Sequence, residues 1–534
     1  MQPAHLLHQL VSVSAGLRPN APALRHNGHV VDYATLAAHI AAYSHGLSAL
    51  GLERGERVAV YLDKRVETVT AYFGTSAAGG AFVPINPVFK APQVAHILRD
   101  CGVRALVTSP ERLAALARGQ GLESCPELRH IILTDALTDD LALPANITLH
   151  PWHALVAASP ARGAPRLIDT DIAAIFYTSG SSGRPKGVVL SHRNIVAGAQ
   201  SVAAYLEHRP DDRLLAALPL SFDAGFSQLT TAFQAGACAV LLNYLLPRDV
   251  LKALEHERIT GLTAVPPLWI QLAQQSVWPA AAGEHLRYFA NTGGRLPRDV
   301  LQRLRAHLPE ARPYLMYGLT EAFRATYLPP EEIDRRPDSI GKAIPNTEVL
   351  VLREDGTPCA AHEPGELVQR GVLVAQGYWN DVERTAERFK PVPPNIAGRS
   401  SGLVLPELAV FSGDTVQRDE DGFLYFIGRR DEMIKTSGYR VSPTEIEEVL
   451  YACAQVGECA AFGIPHPALG QRIAIAVTAA PGHEIDTTKL LAECRARMPA
   501  YMVPAHVDVH PAPLPRNPNG KIDRRKLAAA WSPA

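Results

Sequence analysis

The sequence predicts an α/β protein: a large N-terminal domain over residues 1–430 with mostly parallel sheets, and a small α+β domain over 431–534. Three observations carry that reading. At 534 residues the chain is too long for one ordinary hydrophobic core. Residues 1–110 alternate helix-patterned and strand-patterned segments, the rhythm of a parallel sheet covered by helices. Beyond 431 the pattern changes to apolar strand-like runs at 460–464 and 473–477 and a helix at 490–497, enough for a second compact unit.

Residues 33–50 are Ala-rich with apolar positions at helical spacing, and 55–62 read as a turn into a strand. Helix at 66–79, strand at 81–85, helix at 94–100 and strand at 103–107 continue the alternation. Apolar residues make up 47% and charged residues 20%, the balance of a soluble globular protein. The net charge of −1 argues against a nucleic acid partner. Seven scattered cysteines, none in Cys-x-x-Cys spacing, read as reduced thiols rather than a disulfide framework or zinc site, as expected of a cytoplasmic protein. Residues 1–17 lack the pattern of a signal peptide, and no apolar run is long enough to span a bilayer.

The chain is organised around Tyr177-Thr178-Ser179-Gly180-Ser181-Ser182-Gly183-Arg184-Pro185-Lys186-Gly187. Apolar strand-like residues flank it at 172–176 and 188–190. Glycines let a backbone approach a ligand closely, while hydroxyls, N–H groups and an ammonium suit phosphate oxygens. A plain Gly/Ser hairpin is the alternative. A Walker loop is not, because Pro185 precedes Lys186 and Gly187 follows it.

Next, Ser191-His192-Arg193-Asn194 reads as a helix entry that Asn194 can cap, with His192 structural. Leu218-Pro219-Leu220-Ser221-Phe222-Asp223 places a carboxylate where a helix N-cap would stand. A strand over 288–291 runs into Thr292-Gly293-Gly294, and Pro297 starts a helix. Then come Tyr317-Gly318-Leu319-Thr320-Glu321, Gly377-Tyr378-Trp379-Asn380 with Thr385 and Phe389, and Gly413-Asp414. Residues 391–408 look like a surface insertion. An Asp421-Gly422 hairpin signal leads to Arg429 and Asp431, which could also form a surface ion pair. Ser442-Pro443-Thr444-Glu445 has the form of a capping box, and the tail carries Asn519-Gly520-Lys521.

In this order these motifs resemble the AMP-forming adenylating enzymes: acyl-CoA synthetases, peptide-synthetase adenylation domains and luciferases. The segments Tyr61-Leu62-Asp63-Lys64-Arg65 and 73–80 also resemble bacterial exosortase-associated acyl-CoA ligases. The resemblance implies a β-barrel-like subdomain, a mobile C-terminal domain hinged at Asp431, and ATP and Mg²⁺ as cofactors. It implies that the chain activates a small or medium carboxylic acid as acyl-AMP, then passes the acyl group to the thiol of CoA or of a carrier protein's phosphopantetheine.

The same resemblance assigns roles. Thr178, Ser179, Gly180, Ser181, Ser182, Gly183 and Lys186 would cradle phosphate, with Gly293, Gly294, Tyr317, Gly318, Thr320, Asp414, Arg429 and Lys521 completing the nucleotide site. Glu321 would hold Mg²⁺. Lys521, Glu321, Thr178 and Lys435 would be catalytic, and Lys435, Gly438, Tyr439 and Arg440 would face the thiol step. Phe222, Asp223, Phe226, Ser227, Asn291, Met316 and Arg324 would line the acyl pocket by motif offset. Asp223 could hold an amino acid's ammonium; Arg324 could bind a second carboxylate or form an exposed salt bridge. Leu315 stands where relatives often carry Asn or Gln to read adenine, and Met316 would shorten the pocket. The alternatives are an amino-acid ligase that loads a carrier protein, an acyl-AMP ligase that ignores CoA, and a non-catalytic nucleotide-binding homologue. The chain ends shortly after Lys521, so no carrier domain is expected after it.

Overall fold

The computed structural model describes residues 3–531, apart from 120, 138–140, 160–162, 164, 179–184, 276, 280, 395, 397–401, 403–404, 430–431, 437–438, 467–469, 512 and 518–519. Alternating strands and helices build two sheets. In the first, Thr148–Pro151, His130–Leu133, Ala105–Thr108, Arg57–Tyr61, Ala81–Pro84 and Ile172–Thr178 run parallel in that spatial order. Lys186–Ser191 closes its edge antiparallel to Ile172–Thr178. These short strands are nearly all apolar because helices cover both faces of the sheet.

The second sheet has fourteen strands among the described residues. Its centre is parallel, from Pro22–His26 through Cys238–Leu241, Arg213–Ala216, Gly261–Ala264 and Tyr288–Asn291 to Arg312–Tyr317. Beyond Arg312–Tyr317 it turns antiparallel, passing through Leu424–Arg429, Leu408–Arg418 and Gly365–Gly371 to its edge at Thr347–Leu352. The helices Tyr33–Ala49, Val66–Ala77, His192–Tyr205 and Asp223–Ala235 contribute to one core that takes in side chains of both sheets.

A third sheet gathers Tyr439–Val441, Ile434–Thr436, Gly470–Ala479, Val456–His466 and His506–Val509, packed against Pro443–Tyr451 and Thr487–Arg497. It forms the small α+β unit. No helix among the described residues is long and apolar enough to cross a membrane. All seven cysteines are buried and free.

Two helix starts differ from the sequence reading. Ser191, not Asn194, caps His192–Tyr205: its hydroxyl accepts the Asn194 N–H, and Asn194 Oδ1 accepts the Ser191 N–H. Ser442 precedes Pro443–Tyr451 but does not cap it with its side chain, which is engaged by Thr444 Oγ1 at 2.7 Å. His192 is fully buried and accepts the Leu7 N–H on Nδ1 at 3.1 Å.

Candidate active site

The site is built where three strands end. Thr178 closes Ile172–Thr178 and stands opposite Lys186 in the register. Residues 179–184 between them, including Ser179, Gly180, Ser181, Ser182 and Gly183, lie outside the described residues. Thr178 Oγ1 is buried without a hydrogen-bond partner among the described residues, the condition of a hydroxyl that a ligand can satisfy. Lys186 Nζ donates to Glu321 Oε1 at 2.9 Å and to the Tyr378 hydroxyl at 2.6 Å, and sits 4.0 Å above the Tyr378 ring. Tyr378 in turn donates to Glu321 Oε1 at 2.6 Å. Burial pushes the Glu321 carboxyl up, but Lys186, Tyr378 and Arg388 together pull it down to about 2, so it is an anion.

Arg312–Tyr317 delivers the next group. Tyr317 donates to Asp414 Oδ2 at 2.5 Å, with Phe426 tilted beside its ring. Asp414 faces Arg429 across the antiparallel pair, and Arg429 Nε lies 3.3 Å from Asp414 Oδ1. Burial raises the Asp414 carboxyl despite that guanidinium. Leu315, two residues before Tyr317 on the same strand, is buried in the apolar cluster with Trp269 and Phe289.

After Tyr317 the chain passes Gly318, where an added Cβ would come within 3.2 Å of Arg324 Cα, and enters the short turn Thr320–Ala322. Phe323 then adopts a positive φ of 55°, rare for a bulky residue, and its buried ring packs against Gly198. That reversal aims Arg324 inward. Arg324 Nη1 meets Asp223 Oδ2 at 2.9 Å, and their side chains are 3% and 4% exposed. Thr320 Oγ1 donates to Asp223 Oδ1 at 3.2 Å, while Arg324 Nε has no partner. Two expectations are corrected here. Asp223 is the first residue of Asp223–Ala235 rather than its cap, which is Phe222. Arg324 forms a buried ion pair, not an exposed one.

Behind this pair Ser227, Gln228, Thr263, Met316 and Arg324 line a narrow cavity with room for about one water. Tyr205 donates to Met316 Sδ at 2.9 Å, which fixes the methionine as its wall. Phe226 does not reach the pocket: about 100° round its helix from Ser227, it is fully buried among Tyr72, Phe73, Phe82 and Phe176. Phe222 packs with Leu218, Ala224 and Val265. Asn291 Nδ2 donates to the Gly294 carbonyl at 2.7 Å, leaving Oδ1 buried and unpartnered.

The third strand end, Tyr288–Asn291, carries the Gly293-Gly294 turn, where Gly293 has a φ of 79°. Lys521 arrives there from the small domain. A Cβ added to Gly293 would lie 3.2 Å from Lys521 Cε and 3.6 Å from its Nζ. The lysine is pinned by a local turn, its N–H on Asn517 Oδ1 and its carbonyl on the Asn517 N–H. Burial lowers its ammonium pKa, opposed by Asp223 and Asp414. Lys521 is thus grouped with Asp223, Asp414 and Gly293. Lys435 is not: it is exposed on Ile434–Thr436 with its N–H on Gln471 Oε1. Gly438 and Asp431 lie outside the described residues, as do the side chains of Tyr439 and Arg440.

Two residues join the site to which the sequence reading gave no role in it. Tyr378 bridges Lys186 and Glu321. Arg388 lies close enough to act on Lys186, Glu321 and Asp414, and its guanidinium occupies the space a Cβ on Gly413 would need. The Gly-Tyr-Trp-Asn motif was the available signal for Tyr378; nothing in the sequence marked Arg388.

The donor set fits a divalent cation carried on phosphates. Glu321 supplies one ionised, hard carboxylate beside a lysine and an unsatisfied threonine hydroxyl, and Mg²⁺ characteristically takes one or two carboxylates plus substrate oxygens. Residues 11–379 match the family model described as AMP-binding enzyme, and 445–521 match the AMP-binding enzyme C-terminal domain. The chain belongs to the AMP-binding enzyme family. It is 32% identical to a feruloyl-CoA synthase from an Amycolatopsis species over 520 residues, 95% of each chain. It is 32% identical to an L-proline–[L-prolyl-carrier protein] ligase from Streptomyces coelicolor, covering 93% of this chain and 91% of that one. Among solved structures, ATP-bound MatB from Rhodopseudomonas palustris superposes with a TM-score of 0.81 at 26% identity, covering 97% and 98% of the two chains. This AMP-binding enzyme is an AMP-forming acid–thiol ligase that uses ATP and Mg²⁺.

Proposed function

We propose that this ligase activates a small carboxylic acid whose acyl part carries no charge, and transfers it to CoA. The observation that carries the reading is the Arg324–Asp223 ion pair. An ammonium group in the substrate would find Asp223 already neutralised from within the protein. A second carboxylate would add net charge to a buried, internally balanced site, at a large desolvation cost. His208, on the same cavity, is held neutral, with burial lowering it to about 4. The one-water space beside Arg324 Nε and the hydroxyls of Ser227 and Thr263 suits a single hydroxyl or carbonyl oxygen at the end of a short acyl chain, not the chain itself.

The reaction has two steps. The substrate carboxylate attacks the α-phosphorus of ATP and the bond to pyrophosphate breaks, giving acyl-AMP. The thiol sulfur then attacks the acyl carbon, loses its proton, and AMP leaves. Bound Mg²⁺ supplies charge neutralisation on the phosphates, and Glu321 would hold it. Thr178, Lys186 and Arg388 bind the phosphate chain, Tyr317 offers its ring to adenine, and Asp414 with Arg429 takes the ribose. Lys521 stabilises the charge that grows at the α-phosphate. The small domain, residues 431–534, then turns at Asp431, withdrawing Lys521 and presenting the Lys435–Arg440 segment to the thiol step. The buried free cysteines support a reducing, cytoplasmic setting.

The rival reading, an amino acid loaded onto a carrier protein, has Asp223 itself in its favour. ATP–pyrophosphate exchange across amino acids, hydroxy acids, keto acids and simple short acids separates the two. Exchange driven by uncharged acids, followed by thioester formation on CoA, is the expected result. Exchange driven by amino acids alone overturns it.

A further inference from the structure

The turn that meets Lys521 is gripped a second time by the small domain. Two residues after Gly293, Arg295 Nε lies 3.6 Å from Glu448 Oε2, and the other oxygen of Glu448 accepts the Arg298 N–H at 3.1 Å. Arg298 is the first residue of the helix Arg298–His307, whose N-cap, Pro297, supplies no side-chain acceptor. A first-turn N–H has no partner inside its own helix, and a carboxylate there also meets the favourable end of the helix dipole. Glu448 therefore acts as that helix's cap from another domain. Asp338 holds the receiving side rigid, bonding both Arg295 and Arg298.

Glu448 is half-buried on the face of Pro443–Tyr451 that meets the large domain. Its neighbours at three-residue spacing also turn toward the large domain. Glu445 feels Arg295, and Tyr451 packs against the cores of both domains. One further bond crosses between the domains nearby, from Gln274 Nε2 to the Gly457 carbonyl at 3.1 Å. Lys521 and Glu448 thus reach one turn from one rigid body: the lysine beside Gly293, the glutamate on Arg295 and Arg298.

We propose that Glu448 is a positioning residue for adenylation: by capping Arg298–His307 and holding Arg295, it fixes the closed placement of the small domain that sets Lys521 over the site. The proposal rests on the two-step reading above. A contact made only in the Lys521-in placement favours the first step and must be released for the second, so its loss divides the two half-reactions.

The test uses the full chain with Glu448→Ala and Glu448→Gln. Pyrophosphate exchange reports the first step, and thioester formation from supplied acyl-adenylate and CoA reports the second. Glu448→Ala should lower exchange about tenfold, the size expected for losing a charge-assisted hydrogen bond. The thioester step should hold or rise. Glu448→Gln, which keeps an acceptor for the Arg298 N–H, should fall between. Equal loss in both steps, or no loss in either, overturns the proposal. Hydrogen exchange of the Arg298 amide reads the contact without any activity: protection in the wild type that is lost in Glu448→Ala is expected, and equal protection overturns the proposal. Absence of wild-type exchange with every acid counts against the ligase reading alone, since the amide measurement still decides the contact.

Discussion

Arg324 and Asp223 neutralise each other inside the protein, 2.9 Å apart and sealed from solvent. Removing either partner strands a buried charge. Arg324→Met alone and Asp223→Asn alone should each destabilise the protein strongly, Arg324→Met by about 3–5 kcal/mol. The double variant should recover most of that loss. Chemical denaturation of the four proteins in a double-mutant cycle measures the coupling; additive losses would mean that the pair does not act as a unit.

Lys521→Ala should reduce pyrophosphate exchange by about 10²–10³ while sparing thioester formation from supplied acyl-adenylate. Gly293→Ala should reproduce part of the effect. Its Cβ would stand 3.2 Å from Lys521 Cε, at a φ of 79° that disfavours any side chain. Equal loss in both half-reactions would remove Lys521 from its assigned step.

Tyr378→Phe deletes the hydroxyl that accepts from Lys186 and donates to Glu321. Steady-state kinetics should show the KM for ATP raised about tenfold, as for a buried bond to charged groups. Arg388→Gln should act in the same direction. Unchanged ATP dependence in both variants would return these residues to a scaffolding role.

His192 is held neutral by burial, its pKa lowered from 6.5 to about 4. The unfolded chain takes up its proton first as pH falls, so stability is full above 6.5 and declines as pH drops toward 4. His192→Asn removes that contribution. Unfolding measured from pH 7 to 4.5 should show a lower starting stability and a shallower decline than the wild type. His8, also lowered to about 4, keeps part of the slope. An unaltered slope would show that His192 does not titrate with folding.

Much of this was legible in the sequence because local pattern dictated it. The βαβ rhythm of residues 1–110, the strand at 172–176, which extends to Thr178, and the hairpin at Asp421-Gly422 follow from periodicity and turn chemistry. The motif residues Lys186, Glu321, Asp414 and Lys521 converge, though they lie far apart in the chain. What could not be read is orientation. Phe226 and Ser227 are neighbours, yet one enters an aromatic core and the other lines the cavity. Arg324 could be read either as a pocket residue or as an exposed salt bridge, and the backbone reversal at Phe323 turns it inward onto Asp223. Tyr378 was hidden because an aromatic in a motif reads equally well as packing, and Arg388 because it is no motif residue itself and is brought in only by its helix. The inter-domain cap on Arg298 depends on Pro297 offering no side-chain acceptor and on a domain whose placement no local pattern encodes.

The ammonium of Lys186 has two claimants. It neutralises Glu321 at 2.9 Å, and it is the cation best placed for a phosphate chain leaving Thr178. A nucleotide that draws Lys186 away uncovers a carboxylate whose acidity was set by that same lysine, so it must arrive with a cation of its own. Nucleotide and divalent ion are therefore thermodynamically linked, each tightening the other by the same factor. Titrations of ATP at increasing Mg²⁺ would show this as reciprocal cooperativity, written into the protein by one shared lysine.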